Sequence, residues 1–196
     1  MKKYLFLAVA LLGLSASAQD ISLPQPVKKG GMPLMEALNN RASAREFSSE
    51  ALDHQTLSNL LWAAWGYNRA DKRTAPSANN KQELSLYVVL AGGAYLYDAR
   101  SNKLLLVNAG DHRASTGKQP FVAGAPLNLV FVEDVNKKGW GKTDAGFISQ
   151  NVYLYCASAG LATVVRGMFD AAALKVSLKL ADHQQPVLTQ TVGKKK

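Results

Sequence analysis

Arg41-Ala42-Ser43-Ala44-Arg45-Glu46-Phe47 follows a short apolar-periodic run, Leu34, Met35, Ala37 and Leu38, with Pro33 near its start. The period and the early proline predict one to two turns of helix. If that helix runs on, the two guanidiniums stand i, i+4 on one face with the Ser43 hydroxyl between them. Planar, permanently charged arginine donors suit phosphate, so the stretch outlines an anion site. A solvated basic turn at the end of a surface helix is the other reading open at this point.

Working outward, Asp53 is a candidate N-cap for a helix whose apolar face is Leu57, Leu60, Leu61, Ala64 and Trp65, closed by Gly66. Residues 67–82 are polar, carry Pro76 and the pair Asn79-Asn80, and are long for a plain connection. They read either as a functional loop in which Ser77, Asn80 and Gln82 matter, or as a turn held by its own Asn side chains. Residues 84–90 read as a strand, 94–97 and 104–107 as a hairpin turning at 98–102, and the apolar run 126–132 as a strand buried on both faces. A long helix from Thr143 to about Ala159, closed by Gly160, precedes a short strand at 161–165, a helix capped by Asp170 and a final strand at 186–192. Helices around a sheet without regular βαβ alternation predict an α+β fold. The arm 19–31, with Pro24, Pro26 and no periodicity, is of a kind that lies across a partner subunit.

The first residues pair Lys2 and Lys3 with an apolar run from Tyr4 to Leu14 and an Ala16-Ser17-Ala18 end. That is the pattern of a secretory signal, so residues 1–18 are expected to be removed and residues 19–196 to form one domain, exported to the periplasm. Loss of the two lysines takes the formal charge from +9 down by two, to +7. The remaining cations are scattered apart from Lys194-Lys195-Lys196, with no aromatic-interleaved basic stripe, which argues against nucleic acid. Cys156 is the single cysteine and sits in an apolar helix, where an inert core thiol is expected. Gly141-Lys142-Thr143 imitates the end of a phosphate loop, but position 136, where the motif needs its first glycine, is Asn136. The three histidines show no metal-ligand spacing.

In this order, Arg41 to Arg45, Leu60 to Gly66, Arg73 to Gln82, Gln150-Asn151 and Gly160 to Asp170 resemble the nitroreductase family of flavin enzymes, most of all the branch that includes peptide-azoline dehydrogenases. The resemblance covers residues 34–193. It implies a central, mostly antiparallel sheet flanked by helices, and a homodimer with FMN at the subunit interface. It implies that Arg41 and Ser43 hold the FMN phosphate and ribityl chain and that Arg45 stands beside the N1/O2 edge of the ring. Pro76, Ser77 and Ala78 would touch a flavin held mainly by the partner, with Asn80 and Gln82 as further candidates in that loop. The Gly167 N–H would lie near N5, and the Lys194 to Lys196 tail, through Lys194 or Lys196, would supply a last cation for the phosphate. Arg166 stands where well-known members carry Glu, which implies a changed charge over the ring. The implied activity is a two-step hydride transfer, from a small-molecule donor through FMN to an electron-poor acceptor of the nitroaromatic or quinone type. No side chain has to act as nucleophile or base. A non-catalytic flavin- or small-ligand-binding protein on the same scaffold is the alternative.

Overall fold

The computed structural model describes residues 19–196, so the expected signal segment lies outside the described residues. In chain order the elements are β1 (Ile21–Ser22), α1 (Leu34–Asn40), α2 (His54–Trp65), β2 (Leu84–Leu90), β3 (Gly93–Asp98), β4 (Lys103–Ala109), β5 (Leu127–Asp134), α3 (Gly141–Ser158), β6 (Leu161–Arg166), α4 (Ala171–Ser177) and β7 (Gln184–Lys194). The strands form one sheet in the order β1-β4-β3-β2-β5-β7-β6, and every ladder is antiparallel. This is the expected α+β architecture.

Burial follows the residue patterns. β5 lies next to the middle strand β2 and is buried on both faces over its apolar run, as a central strand must be. Along β2, alternation sends Leu84, Leu86 and Val88 into the layer that holds α2 and α3, and Tyr87 and Val89 into the layer under α4. The five apolar residues of the α2 face are each no more than 3% exposed, and Asp53 caps the helix by accepting the Thr56 N–H at 2.8 Å. Gly160 ends α3 at φ +69, a conformation a side chain would resist. Cys156 is buried as expected, and its thiol is pushed up by that burial.

Two expectations change. Helix α1 stops at Asn40, and Arg41 is extended at φ −60, ψ 120, so Arg41 and Arg45 are not helical neighbours. The backbone of 41–48 is taken instead by the far edge of the sheet. The Ala44 N–H donates to Thr163 O at 2.9 Å, the Ser48 N–H to Lys194 O at 3.0 Å, and Phe47 bridges to Lys195. Gly193 permits the approach, since a Cβ there would lie 2.9 Å from Pro126 and 3.3 Å from the Phe47 ring. The arm 19–31, for its part, lies on its own chain: β1 pairs with β4, and Ser58 and the Asn102 amide both donate to Pro24 O, at 2.6 and 2.7 Å. The final strand also runs two residues longer at each end than its apolar core, so Lys194 belongs to β7.

Candidate functional site

In an extended segment side chains alternate, so Arg41, Ser43 and Arg45 are related by a period of two rather than by a helical turn. Tyr153 of α3 organises two of them. Its hydroxyl lies 2.8 Å from Ser43 Oγ and accepts the Val165 N–H at 3.0 Å, and its ring stands 5.2 Å from the Arg41 guanidinium. A buried phenol needs a partner for its O–H, and here that need ties the 41–47 segment to α3 and β6 together. The sequence reading missed Tyr153; its one signal was a tyrosine on an otherwise apolar helix face.

Two cavities open on either side of this segment. One of about 450 Å³ is lined by Asn40, Ala42, Ala44, Tyr153, Thr163 and Lys195 among others. The other, about 660 Å³, is bounded by Arg45, Phe47, Phe121, Gly124, Lys195 and Lys196, with Glu46 as the acid on its rim. Lys195 lines both. The Phe47 and Phe121 rings meet at 5.4 Å, tilted by 42°, and give the larger cavity an aromatic wall. Three cations line these cavities, Arg45, Lys195 and Lys196, and Arg41 stands over the ring of Tyr153, which lines the smaller one. Lys194 does not join them: its ammonium meets the Glu50 carboxylate.

Arg166 lies inside the protein. It is 6% exposed, and its guanidinium donates to Thr116 O at 2.8 Å, Asn128 Oδ1 at 3.0 Å and Thr191 Oγ1 at 2.8 Å. No carboxylate shares this network among the described residues, its Nε has no partner there, and burial pulls the group down to about 10. The expected charge over a ring is thus a charge inside the wall, with the guanidinium 5.9 Å from the Phe121 ring. Gly167 follows it at the open end of β6, exposed, with nothing near the position a Cβ would take.

The 76–82 loop is held largely by itself, as one of its two readings had it. The Gln82 N–H donates to Ser77 Oγ at 3.0 Å, Gln82 Nε2 to Asp71 O at 2.7 Å and to Asn80 Oδ1 at 3.0 Å, and Arg73 Nε to Gln82 Oε1 at 2.9 Å. Positive φ at Asn79, Asn80 and Gln82 completes the turn. Ala78 is anchored where its N–H donates to Asp144 Oδ2 at 2.9 Å. Asp144 and Tyr153 are nine residues apart on α3, or about 13 Å along the axis. Within one chain, Pro76, Ser77 and Ala78 are therefore well removed from the cation cluster.

In sequence and fold the chain is similar to known proteins. The sequence model described as the nitroreductase family matches residues 38–194. A candidate nitroreductase of Methanocaldococcus jannaschii is 30% identical over 182 residues, which cover 83% of this chain and 91% of that protein. The crystal structure of a candidate nitroreductase from Ralstonia eutropha JMP134 superposes with a TM-score of 0.87 at 41% identity, covering 93% of this chain and 92% of that one. An FMN-dependent nitroreductase from Clostridium difficile R20291 shares the fold at 17% identity, with a TM-score of 0.61 over 83% of this chain and 87% of its own.

Proposed function

Because this chain belongs to the nitroreductase family and is a nitroreductase-type oxidoreductase, we propose that it binds FMN between two copies of itself and passes hydride from a reduced donor to a nitroaromatic or quinone-type acceptor. The observation that carries this reading is that Arg45, Lys195 and Lys196 line two adjoining cavities with Glu46 the one acid among the lining residues, and that Arg41 stands over Tyr153 at the smaller of them. A phosphate dianion needs such a concentration of donors, and the volumes suit a small phosphorylated ligand. The residues present fit the group. When bound, FMN supplies the hydride chemistry; the protein's part is position and charge. Arg41 and Lys195 would hold the phosphate, Ser43, held by Tyr153, would serve the ribityl chain, and Arg45 would supply a fixed cation for the negative charge that develops on the ring. Arg166 acts from behind the wall, as a charge that cannot move.

The test is the visible spectrum of the purified protein, with any pigment released and identified. Bound flavin, bleached by a reductant and restored by an acceptor, supports the reading. A colourless protein that takes up no added FMN sinks it.

The second copy has its own support. The apolar positions of α1 turn outward, with Leu34 63%, Met35 75% and Leu38 42% exposed, and Phe147 on α3 is 45% exposed. The distance of Pro76 to Ala78 from the cation cluster of their own chain also fits a site completed by a partner's loop. Sedimentation is expected to give the mass of two chains, and Met35→Asp combined with Leu38→Asp to give one chain with reduced flavin content. A wild-type monomer that retains flavin would refute the shared site.

A further inference from the structure

Glu83 ends the 67–82 loop, opens onto β2 and is 1% exposed. Neither of its side-chain oxygens has a hydrogen-bond partner among the described residues, a placement in which an ionised carboxylate is strongly disfavoured. The backbone at residue 139 closes over it, since a Cβ at Gly139 would collide with the Glu83 carboxyl.

The charged groups around it come from four elements. The turn after β5 brings Lys137 and Lys138, and the loop brings Lys81 and Arg73. Three of these cations are engaged elsewhere: Lys137 Nζ donates to Gln82 O at 3.0 Å, Lys81 Nζ to Lys138 O, and Arg73 to Gln82 Oε1 and Trp65 O. From β5 come Asp134, which accepts the Asn136 N–H at 3.0 Å, and Glu133, which accepts the Gly141 N–H at 3.3 Å. From α3 comes Asp144, also 1% exposed, and its carboxyl stands beside that of Glu83. Helix α2 contributes only the Trp65 indole, which donates to Leu84 O at 3.0 Å.

The two carboxyls are not equivalent. Asp144 accepts the Ala78 N–H and stands in the first turn of an 18-residue helix, where the axial dipole favours negative charge. Glu83 has neither support. We propose that Glu83 is held as the neutral acid with its O–H donated to the Asp144 carboxylate, and that this shared proton locks the 76–82 loop onto α3 through Ala78. Loss of the proton would leave two anions side by side in a closed pocket, and the movable partner is the loop. The inference concerns the order of that loop, and it stands whether or not the loop reaches a flavin.

The direction with pH follows. Burial first, and the Asp144 carboxyl second, raise Glu83 above the ordinary carboxylate range. A group raised in the folded state contributes fully below its unfolded value and loses that contribution as pH rises through the folded one. The loop is therefore locked in acid and released as pH rises.

Hydrogen exchange at Ala78 and its neighbours in the full chain, followed from acid to mildly alkaline pH with the intrinsic base-catalysed rise divided out, tests this. Opening in the wild type is expected to rise by up to about tenfold per pH unit while Glu83 is ionised in the released loop and still protonated in the locked one, the slope of a one-proton linkage, and to level off once it ionises in the locked loop too. Glu83→Gln, whose amide donates to Asp144 and cannot ionise, should give a flat profile. A flat wild-type profile, or the same slope in Glu83→Gln, overturns the proposal. Carbon-13 carboxyl shifts of the wild type need no variant to fold. A glutamate resonance that titrates well above the rest supports the shared proton, and glutamates that all titrate together refute it.

Discussion

Trp65→Ala is expected to cost about 4 kcal/mol of folding stability, within the range for truncating a large buried aromatic. Trp65 is 2% exposed in the layer between α2 and the sheet, where its ring fills space against the core face of β2. Its indole N–H is also the partner of Leu84 O at 3.0 Å, and truncation leaves that carbonyl with one donor fewer in a buried place. The effect does not stop at the core. Arg73 lies 4.7 Å from the Trp65 ring and 4.1 Å from the Tyr67 ring, and it donates to Trp65 O at 2.8 Å as well as to Gln82. Losing the indole removes one of those ring contacts, so the 76–82 loop should loosen along with the global loss. Urea unfolding measures the first effect and proteolysis within the loop the second. Because a whole domain is stable by only about 5–15 kcal/mol, the variant should lie near the edge of folding at physiological temperature. Trp65→Phe keeps a ring but not the donor and should recover roughly half the loss. A Trp65→Ala protein within about 1 kcal/mol of wild type would mean that this face of α2 is not the centre of the core.

The larger functional effect is expected at Arg41. Arg41→Ala should weaken FMN by about 1–3 kcal/mol, the range for a charge-assisted hydrogen bond, which is roughly five- to 150-fold in Kd. The guanidinium is held over the Tyr153 ring at 5.2 Å, so part of the cost of ordering it is met before any ligand arrives. Arg41→Lys keeps the charge but loses the planar fork and its stacking, and should fall between the two. Titration of the flavin-free protein with FMN measures all three affinities, and equal values for wild type and Arg41→Ala would remove Arg41 from the site. Tyr153→Phe separates position from charge. It leaves the ring under Arg41 and removes the hydroxyl beside Ser43, so its effect should be smaller than that of Arg41→Ala.

Local periodicity made most of the fold legible. The α2 face, the β2 boundaries and the two-sided burial of β5 were all visible as repeats of 3.6, of two, or as an unbroken apolar run. The end of α1 was not, because Arg41 to Phe47 break no local rule of helix formation; the competing partners are Thr163, Lys194 and Lys195, more than a hundred residues away. Arg166 is a different case, since its signal was present and not used. Alternation along β6 puts it on the same side as Ala162 and Val164, at 1% and 4% exposure, so an inward side chain was readable from the strand alone. Glu83 and Asp144 left no trace of that kind: one precedes a strand and the other opens a helix, sixty-one positions apart.

Composition, period and the order of its motifs were thus enough to determine the α+β class and the family, because these are written in local repeats and in their sequence along the chain. The tertiary structure alone decided which cations line a common cavity, that Tyr153 joins Arg41 and Ser43, that Arg166 is buried, and that two buried carboxyls stand side by side. Each of these depends on strand register and on how close two distant backbones come, and the free energy of such contacts belongs to the packed chain and to no segment of it.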